Sequence, residues 1–183
     1  DAPMLEVSSP EARLVDELQA ILGAGGWLEP SDALHLTVDY RGVFSGTPLL
    51  VARPDSVDVV RAVVRLCAAA GVAIVSQGGH TSLSGGSVPT TDRPSVLLST
   101  SRMNRIVSVD HVNRLAWVEP GVLNLDLSKQ IAHLGVHFAP DPSSQQTCSI
   151  GGNVANNSGG PHCLAYGVTN AHILAIEVVL ADG

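Results

Sequence analysis

The chain has 183 residues, of which 45% are hydrophobic and only 3% aromatic, and its formal net charge is −7. This length suffices for one domain or two small lobes with a core of Ala, Val, Leu and Ile side chains. The acidic balance and the lack of a Lys or Arg cluster argue against a nucleic-acid partner, because phosphate neutralisation requires clustered cations.

The cysteines and the hydropathy pattern indicate the cellular compartment of the protein. Three cysteines, Cys67, Cys148 and Cys163, show no framework spacing, which favours reduced thiols in an intracellular setting. The N-terminal residues lack the basic and apolar regions of a signal peptide, and no apolar run reaches the ~18 residues of a membrane span. We therefore expect a cytoplasmic protein without a transmembrane segment.

The first half of the chain predicts two helices and two strands. Ser8, followed by Pro10 and Glu11, indicates a helix start, and apolar residues at helical spacing continue until Gly23. Residues 27–47 show no regular pattern. Residues 49–76 predict a parallel, right-handed strand–helix–strand unit. Its parts are a strand at 49–54, a helix capped by Ser56 and ended by Gly71, and a strand at 72–77.

The second half predicts more strand than helix. The expected elements are a strand at 95–100, a hairpin of 105–110 with 114–121, a helix at 125–134 ended by Gly135, and a final strand at 172–183. Residues 139–167 are poor in apolar side chains and read as a long loop. The mixture predicts an α+β fold with a small and a larger lobe that divide near residue 100.

Two glycine-rich stretches carry the chemical signal. They read QGGHTSLSGG at 77–86 and SIGGNVANNSGG at 149–160, the latter preceded by PDPSSQQT. Backbone N–H groups without Cβ cover, together with Ser and Thr hydroxyls, form anion-binding concavities. Neither stretch contains Lys or Arg, which favours a buried diphosphate held by neutral donors. Neither fits a Walker A loop or a Rossmann fingerprint, and simple turns are the alternative interpretation.

A family resemblance rests on these motifs and their surroundings. The run VARPDSVDVVRAVVRLCAAAGVAIVSQGGHTSLSGGSVP, at 51–89, resembles the start of the FAD-binding domain in the vanillyl-alcohol oxidase/p-cresol methylhydroxylase superfamily. Residues 115–167 and the final EVVLADG resemble its continuation, and DYRGVFSG at 39–46 resembles the segment before it. The branch that the chain resembles is that of the FAD-linked D-2-hydroxy-acid dehydrogenases, which include glycolate oxidase flavoprotein subunits, D-lactate dehydrogenases and D-2-hydroxyglutarate dehydrogenases.

The resemblance implies a set of cofactor contacts. The first stretch is expected to enclose the FAD pyrophosphate, and the second to line its other side and the isoalloxazine edge. The implied cofactor-binding residues are Gln77, Gly78, Gly79, His80, Thr81, Ser82, Gly85, Gly86, Pro142, Ser143, Thr147, Ile150, Gly151, Gly152, Asn156 and Gly159. No metal site is implied.

His80 departs from the pattern of this branch, which commonly has Asn or Gly there. Other branches bond a histidine at this loop position to the flavin, so His80 is either a covalent anchor or a noncovalent neighbour of FAD. Ala165 replaces a basic residue that is common in the family, so a charge there is lost.

The remaining histidines and cysteines give weaker signals. Gly135 interrupts the His133 and His137 pair, which favours ordinary roles for both. His162, next to Cys163, could face the flavin. Cys148 and Cys163 could pair, although small buried thiols are the other interpretation.

The resemblance also implies how the chain is organised. We expect an N-terminal helical segment at 1–47, a small α+β lobe of the FAD domain at 48–100, and the start of a larger α+β lobe at 101–183. Family members are much longer, so the FAD domain is expected to be incomplete at the C-terminus. The substrate domain is expected to be absent from these residues, and catalytic residues are expected beyond Gly183.

Three functional hypotheses remain open from the sequence. In the first, the parent enzyme oxidises a D-2-hydroxy acid to a 2-oxo acid by hydride transfer to flavin N5, and a separate acceptor takes the electrons. In the second, it is an oxidase of alcohols or sugars with FAD bonded to His80. In the third, the chain is a noncatalytic nucleotide-binding module.

Overall fold

The computed structural model describes residues 9–183, which contain five helices and six strands. In chain order these are α1 (Pro10–Leu22), β1 (Trp27–Leu28), β2 (Leu50–Ala52), α2 (Val57–Ala70), β3 (Ala73–Gln77), β4 (Ser95–Ser99), β5 (Ile106–Asp110), β6 (Leu115–Val118), α3 (Asn124–Ile131), α4 (Ile150–Asn156) and α5 (Cys163–Tyr166). Short 3₁₀ turns occupy Pro30–Leu36, Ala132–Leu134 and Thr169–His172. The predicted α+β class is confirmed.

The N-terminal cap of helix α1 lies one residue later than predicted. Ser8 lies outside the described residues, and Ser9 caps the helix by accepting a hydrogen bond from the Ala12 N–H at 3.1 Å. Pro10 follows at the first helical position, where its missing N–H is tolerated. The helix ends at Gly23, whose φ of +66° few other residues adopt readily.

The larger sheet has the strand order β1-β2-β4-β3. Strands β2 and β3 both run parallel to β4, and β1 pairs antiparallel with β2. The predicted strand–helix–strand elements are therefore present, but β4 lies between the two strands. All five β4 residues are buried, whereas β3 is mostly half-buried. The apolar β4 therefore takes the central position in the sheet, which is covered on both faces.

Two hydrophobic clusters cover the two faces of this sheet. Leu18 of α1 and Val63 of α2 pack with Val96 on one face. On the other face, Leu97 packs with Val51 and with Ala33 from the 3₁₀ turn. Neighbouring β4 residues thus point to opposite faces of the sheet. Part of residues 27–47, the stretch without a regular sequence pattern, covers the face of Leu97.

The second half of the chain builds around the predicted hairpin and helix. Strands β5 and β6 pair antiparallel with one register shift, and α3 with its 3₁₀ extension ends at Gly135, where φ is +73°. Val122, Leu127 and Ile150 form a separate cluster there. Within residues 9–183, no helix has both the length and the apolar character needed to span a bilayer.

Two predictions for this half are wrong. Residues 150–156 are helical instead of a loop, because the buried Ser149 accepts the Gly152 N–H at 3.2 Å and caps α4. Residues 173–180 pair with no strand in the part of the chain that is described, although their alternation is typical of one. Their side chains Leu174, Ile176, Val178 and Leu180 are 60–80% exposed, since no sheet edge supplies a backbone partner.

Candidate functional site

The first glycine-rich stretch lies where the parallel strands end. Residues 78–87, here called the first loop, follow β3 directly, and the Gln77 carbonyl accepts the Thr100 N–H at 3.0 Å just beyond β4. Ligands of open parallel sheets bind at the carboxyl ends of the strands. The first loop therefore occupies the edge where a ligand is expected.

The first loop meets the second glycine-rich stretch in a backbone contact. Residues 140–160 are called the second segment. A Cβ on Gly78 would overlap Ser149 Oγ, and one on Gly79 would overlap the Thr147 carbonyl oxygen and lie 2.7 Å from Cys148 Cα. Only glycine permits this approach, so the structure brings the two predicted cofactor segments together.

The first loop presents backbone donors that the protein does not use. Within residues 9–183, the N–H groups of residues 78–83 donate to no protein acceptor, whereas Ser84 N–H reaches Ser82 Oγ at 3.4 Å. A Cβ on Gly86 would meet nothing within 4 Å. A row of available N–H groups beside open space fits an anionic group such as a diphosphate.

Several N–H groups of the second segment donate to protein acceptors, contrary to expectation. The N–H groups of Ile150 and Gly151 donate to the carbonyls of Val122 and Pro120, both at 2.8 Å. Gly152 N–H donates to Ser149 Oγ. The glycine at 151 instead permits close packing, because its Cβ would lie 2.6 Å from Pro120 Cβ.

The other predicted residues of the second segment differ in availability. Ile150 contributes its side chain to the hydrophobic core, and Asn156 donates its amide to the Gly152 carbonyl at 2.9 Å. Pro142 is buried, whereas Ser143 and Thr147 expose their hydroxyl-bearing side chains. Ser143 and Thr147 are therefore hydroxyl-bearing residues of the second segment that a ligand could reach.

The remaining predicted cofactor-binding residues differ in exposure and in their neighbours. Thr81 and Ser82 are half-buried, and Gly85, with a φ of +74°, lies against the ring of Phe44. Gly159 contacts Cys163 Sγ. That these residues bind a cofactor stays a prediction.

A cleft of about 1140 Å³ opens beside the contact of the two segments. Its wall includes Gly78, Gly79 and Ser149, which belong to those segments. Residues that the sequence reasoning did not assign complete it, and they include Arg105 and the α3 side chains Asp126, Lys129 and Gln130, with His133 after them. The 126, 129, 130 and 133 spacing, which places these residues on one face of a helix, was a usable signal.

Arg105 is held at this cleft by a carboxylate. Its Nε lies 2.9 Å and its Nη2 2.6 Å from Glu119 Oε1, while its backbone N–H donates to Glu119 Oε2 at 2.7 Å. These hydrogen bonds lower the pKa of Glu119, which is only 11% exposed. The pair fixes a guanidinium on the cleft wall.

His162 is paired with an acid of the second segment. Its Nδ1 lies 2.5 Å from Asp141 Oδ2, and this hydrogen bond lowers the pKa of Asp141. The adjacent Cys163 accepts the Gly160 N–H at 2.9 Å and stays a free thiol, as does the buried Cys148. The structure therefore contains no Cys148–Cys163 disulfide.

Comparisons with known proteins agree with this geometry. The family model described as FAD binding domain matches residues 48–183. The glycolate oxidase subunit GlcD of Escherichia coli (strain K12) is 46% identical over 145 residues, which cover 79% of this chain and 29% of that protein. The probable mitochondrial D-2-hydroxyglutarate dehydrogenase of Oryza sativa subsp. indica is 34% identical over 170 residues, which cover 92% of this chain and 30% of that protein.

A solved structure shares the fold. The crystal structure of p-cresol methylhydroxylase with substrate bound has a TM-score of 0.66 and 21% identity, covering 84% of this chain and 31% of that one. This likeness confirms the predicted fold type. The chain spans less than a third of the length of the two curated relatives described above.

Proposed function

The chain belongs to the FAD-binding-domain family of FAD-linked oxidoreductases, and from this membership we propose that it is the cofactor-binding part of an enzyme that oxidises a D-2-hydroxy acid to the 2-oxo acid. The predicted cofactor, FAD, is confirmed by that membership. When bound, FAD supplies a hydride acceptor for oxidation of the substrate carbon. The names of the two relatives support a small hydroxy acid as substrate.

The observation that carries the proposal is the row of available N–H groups on the first loop. In this proposal, residues 78–83 donate to the FAD pyrophosphate, with Thr81 and Ser82 adding hydroxyl donors. Neutral donors of this kind satisfy a diphosphate without a salt bridge. Gly86 leaves room for the close approach of the cofactor.

The second segment takes a different role in the proposal. Because the N–H groups of Gly151, Gly152 and Gly160 are occupied, the segment lines the cofactor with the exposed Ser143 and Thr147 and with its compact backbone. Ile150 and Gly151 position this wall through their packing against Val122 and Pro120. The expected direct contacts of Pro142, Gly152, Asn156 and Gly159 remain part of the proposal.

We also propose the domain division near residue 100. Residues 48–100 contain β2, α2, β3 and β4. Residues 101–183 contain the β5–β6 hairpin, α3 and the hydrophobic cluster of Val122, Leu127 and Ile150. The two proposed lobes would meet where Gly78 and Gly79 touch the second segment. Residues that bind the substrate carboxylate and accept the hydroxyl proton are proposed to lie outside this chain.

An anaerobic reduction experiment tests the proposed reaction. The purified full-length protein, loaded with FAD, is mixed with glycolate, with D- and L-lactate, with D- and L-2-hydroxyglutarate, and with a panel of simple alcohols and sugars. Loss of the oxidised flavin absorbance with hydroxy acids, and with only the D form of the chiral pairs, is expected. Reduction by an alcohol or sugar instead would favour the oxidase hypothesis. FAD binding with no reduction by any substrate would favour the noncatalytic module.

A further inference from the structure

A segment before the family match is attached to the first loop. Residues 36–46, here called the strap, precede the matched residues 48–183. The Gln77 side chain donates from Nε2 to the Leu36 carbonyl at 2.9 Å, and the His80 ring donates from Nε2 to the Val38 carbonyl at 2.7 Å. At the other end of the loop, a Cβ on Gly85 would lie 2.6 Å from the Phe44 ring.

The strap is a compact turn with its own internal bonds. The Asp39 carboxylate accepts the N–H groups of Val43 and Phe44, both at 2.6 Å, and that of Arg41 at 3.2 Å. Asp39 is 4% exposed, and these bonds lower its pKa. The strap therefore offers the loop a preformed surface.

Both ring nitrogens of His80 are engaged by this arrangement. A carbonyl oxygen can only accept, so the contact with Val38 places a proton on Nε2. The Gln77 amide has two N–H hydrogens, and it donates them to the carbonyls of Leu36 and Ser87, each at 2.9 Å. With the proton on Nε2, the unprotonated Nδ1 of the neutral ring lies 2.9 Å from Gln77 Nε2 and 3.4 Å from Ser87 Oγ, whose hydroxyl can donate to it. His80 itself has a φ of +55°, in the left-handed region.

We propose that His80 is a positioning residue that clasps the strap to the first loop, and that it does not bond to the flavin. This inference rests on the proposed role of the first loop in FAD binding. A covalent link requires one ring nitrogen to face the cofactor with a free lone pair. In this structure, one nitrogen carries the proton donated to Val38, and the other faces Gln77 Nε2 and Ser87 Oγ within the protein. By holding the ring in the strap, His80 keeps the loop in the conformation that presents its N–H row.

Acid precipitation of the FAD-loaded full-length protein distinguishes a noncovalent positioning role of His80 from a covalent bond to the flavin. The yellow flavin is expected to leave with the supernatant for the wild-type protein. Flavin that stays in the wild-type pellet, and moves to the supernatant in a His80→Asn variant, would overturn the proposal. Asn is chosen because it tolerates the left-handed backbone of this position but cannot reach both partners of the imidazole.

The dissociation constant of FAD measures the positioning role. His80→Asn is expected to weaken FAD binding about 3- to 10-fold, the range of one lost hydrogen bond. The matched control is His111→Asn, because His111 is exposed in the β5–β6 turn, and its dissociation constant should not change. An unchanged dissociation constant in His80→Asn, measured where all variants are folded, would contradict the clasp.

A double-mutant cycle shows whether His80 acts through the strap. Asp39→Ala removes the acceptor that organises the strap, so a second change at His80 should then weaken FAD binding less than it does alone. Fully additive effects would mean that His80 acts independently of the strap, and the proposal would fall.

Trypsin cleavage at Arg41 tests the clasp without cofactor. Arg41 is exposed in the strap, and His80→Asn should speed its cleavage in the apo-protein, whereas His111→Asn should not. Faster cleavage together with a wild-type protein that binds no FAD would show a structural clasp, and both the FAD-positioning role and the proposed function would fail. Normal FAD binding with unchanged cleavage would overturn the clasp alone.

Discussion

The contact of Gly79 with the second segment predicts a specific loss of stability. In Gly79→Ala, the new Cβ overlaps the Thr147 carbonyl oxygen and lies 2.7 Å from Cys148 Cα. Both atoms belong to the backbone, so no side-chain rotation relieves the overlap. Overpacking of this kind costs about 1–3 kcal/mol. At about 2–4 °C per kcal/mol for a chain of this size, the melting temperature should fall by roughly 2–12 °C.

The matched control is Gly86→Ala, in the same loop. Its Cβ meets nothing within 4 Å, and its φ lies outside the positive range. Each substitution removes one glycine, so the change in unfolded-state entropy is about the same in both. Thermal and urea unfolding of the apo-proteins, followed by circular dichroism, gives the two free energies of unfolding. The control should stay within about 0.5 kcal/mol of the wild-type protein. Equal stability of the two variants would refute the proposed contact between the segments.

Three further predictions concern the cofactor space, the thiols and the cleft. Gly86→Val should weaken FAD binding about tenfold or more, because the side chain would enter the open space beside the N–H row. The melting temperature of the apo-protein should not change. If the variant bound FAD with the dissociation constant of the wild-type protein, FAD would lie elsewhere. A thiol reagent should modify the half-buried Cys163 of the native protein quickly and Cys67 only on unfolding, since burial raises the pKa of Cys67 to about 11; a rapid reaction that persists in Cys163→Ser would contradict this. Glu119→Gln should lower the free energy of unfolding at pH 7, because the lowered pKa of Glu119 reflects its bonds to Arg105. That difference is full above the ordinary pKa near 4.5 and should shrink as the pH falls toward the lower native pKa, because the paired carboxylate is then protonated. A difference independent of pH would exclude the ion pair as its source.

The local elements were predictable because their signals lie in neighbouring residues. Helix α2 follows Ser56 and ends before Gly71, as its apolar spacing and flanking residues predict. The β5–β6 hairpin likewise agrees with its alternation and intervening turn. The family resemblance, which rests on the glycine motifs, correctly indicated FAD as the cofactor and the fold type.

The arrangement of those elements needed the tertiary structure. No local pattern shows that β4 lies between β2 and β3, because strand order is set by which apolar run is covered on both faces. Residues 150–156 read as a loop from the sequence because two glycines lower their helix propensity. They form a helix because the cap by Ser149 and the buried packing of Ile150 outweigh that propensity. Alternation at 173–180 predicted a strand, but a strand also needs a partner edge.

The candidate site divides in the same way. The sequence by itself identified two glycine-rich segments and the chemistry of neutral donors. Only the tertiary structure decided that the N–H groups of Gly78 and Gly79 are available while those of Gly151 and Gly152 are occupied. It also decided that His80 turns its ring toward Val38, a residue 42 positions earlier in the chain. The physical reason is that hydrogen-bond partners distant in sequence, invisible to any local pattern, determine which donors remain for a ligand.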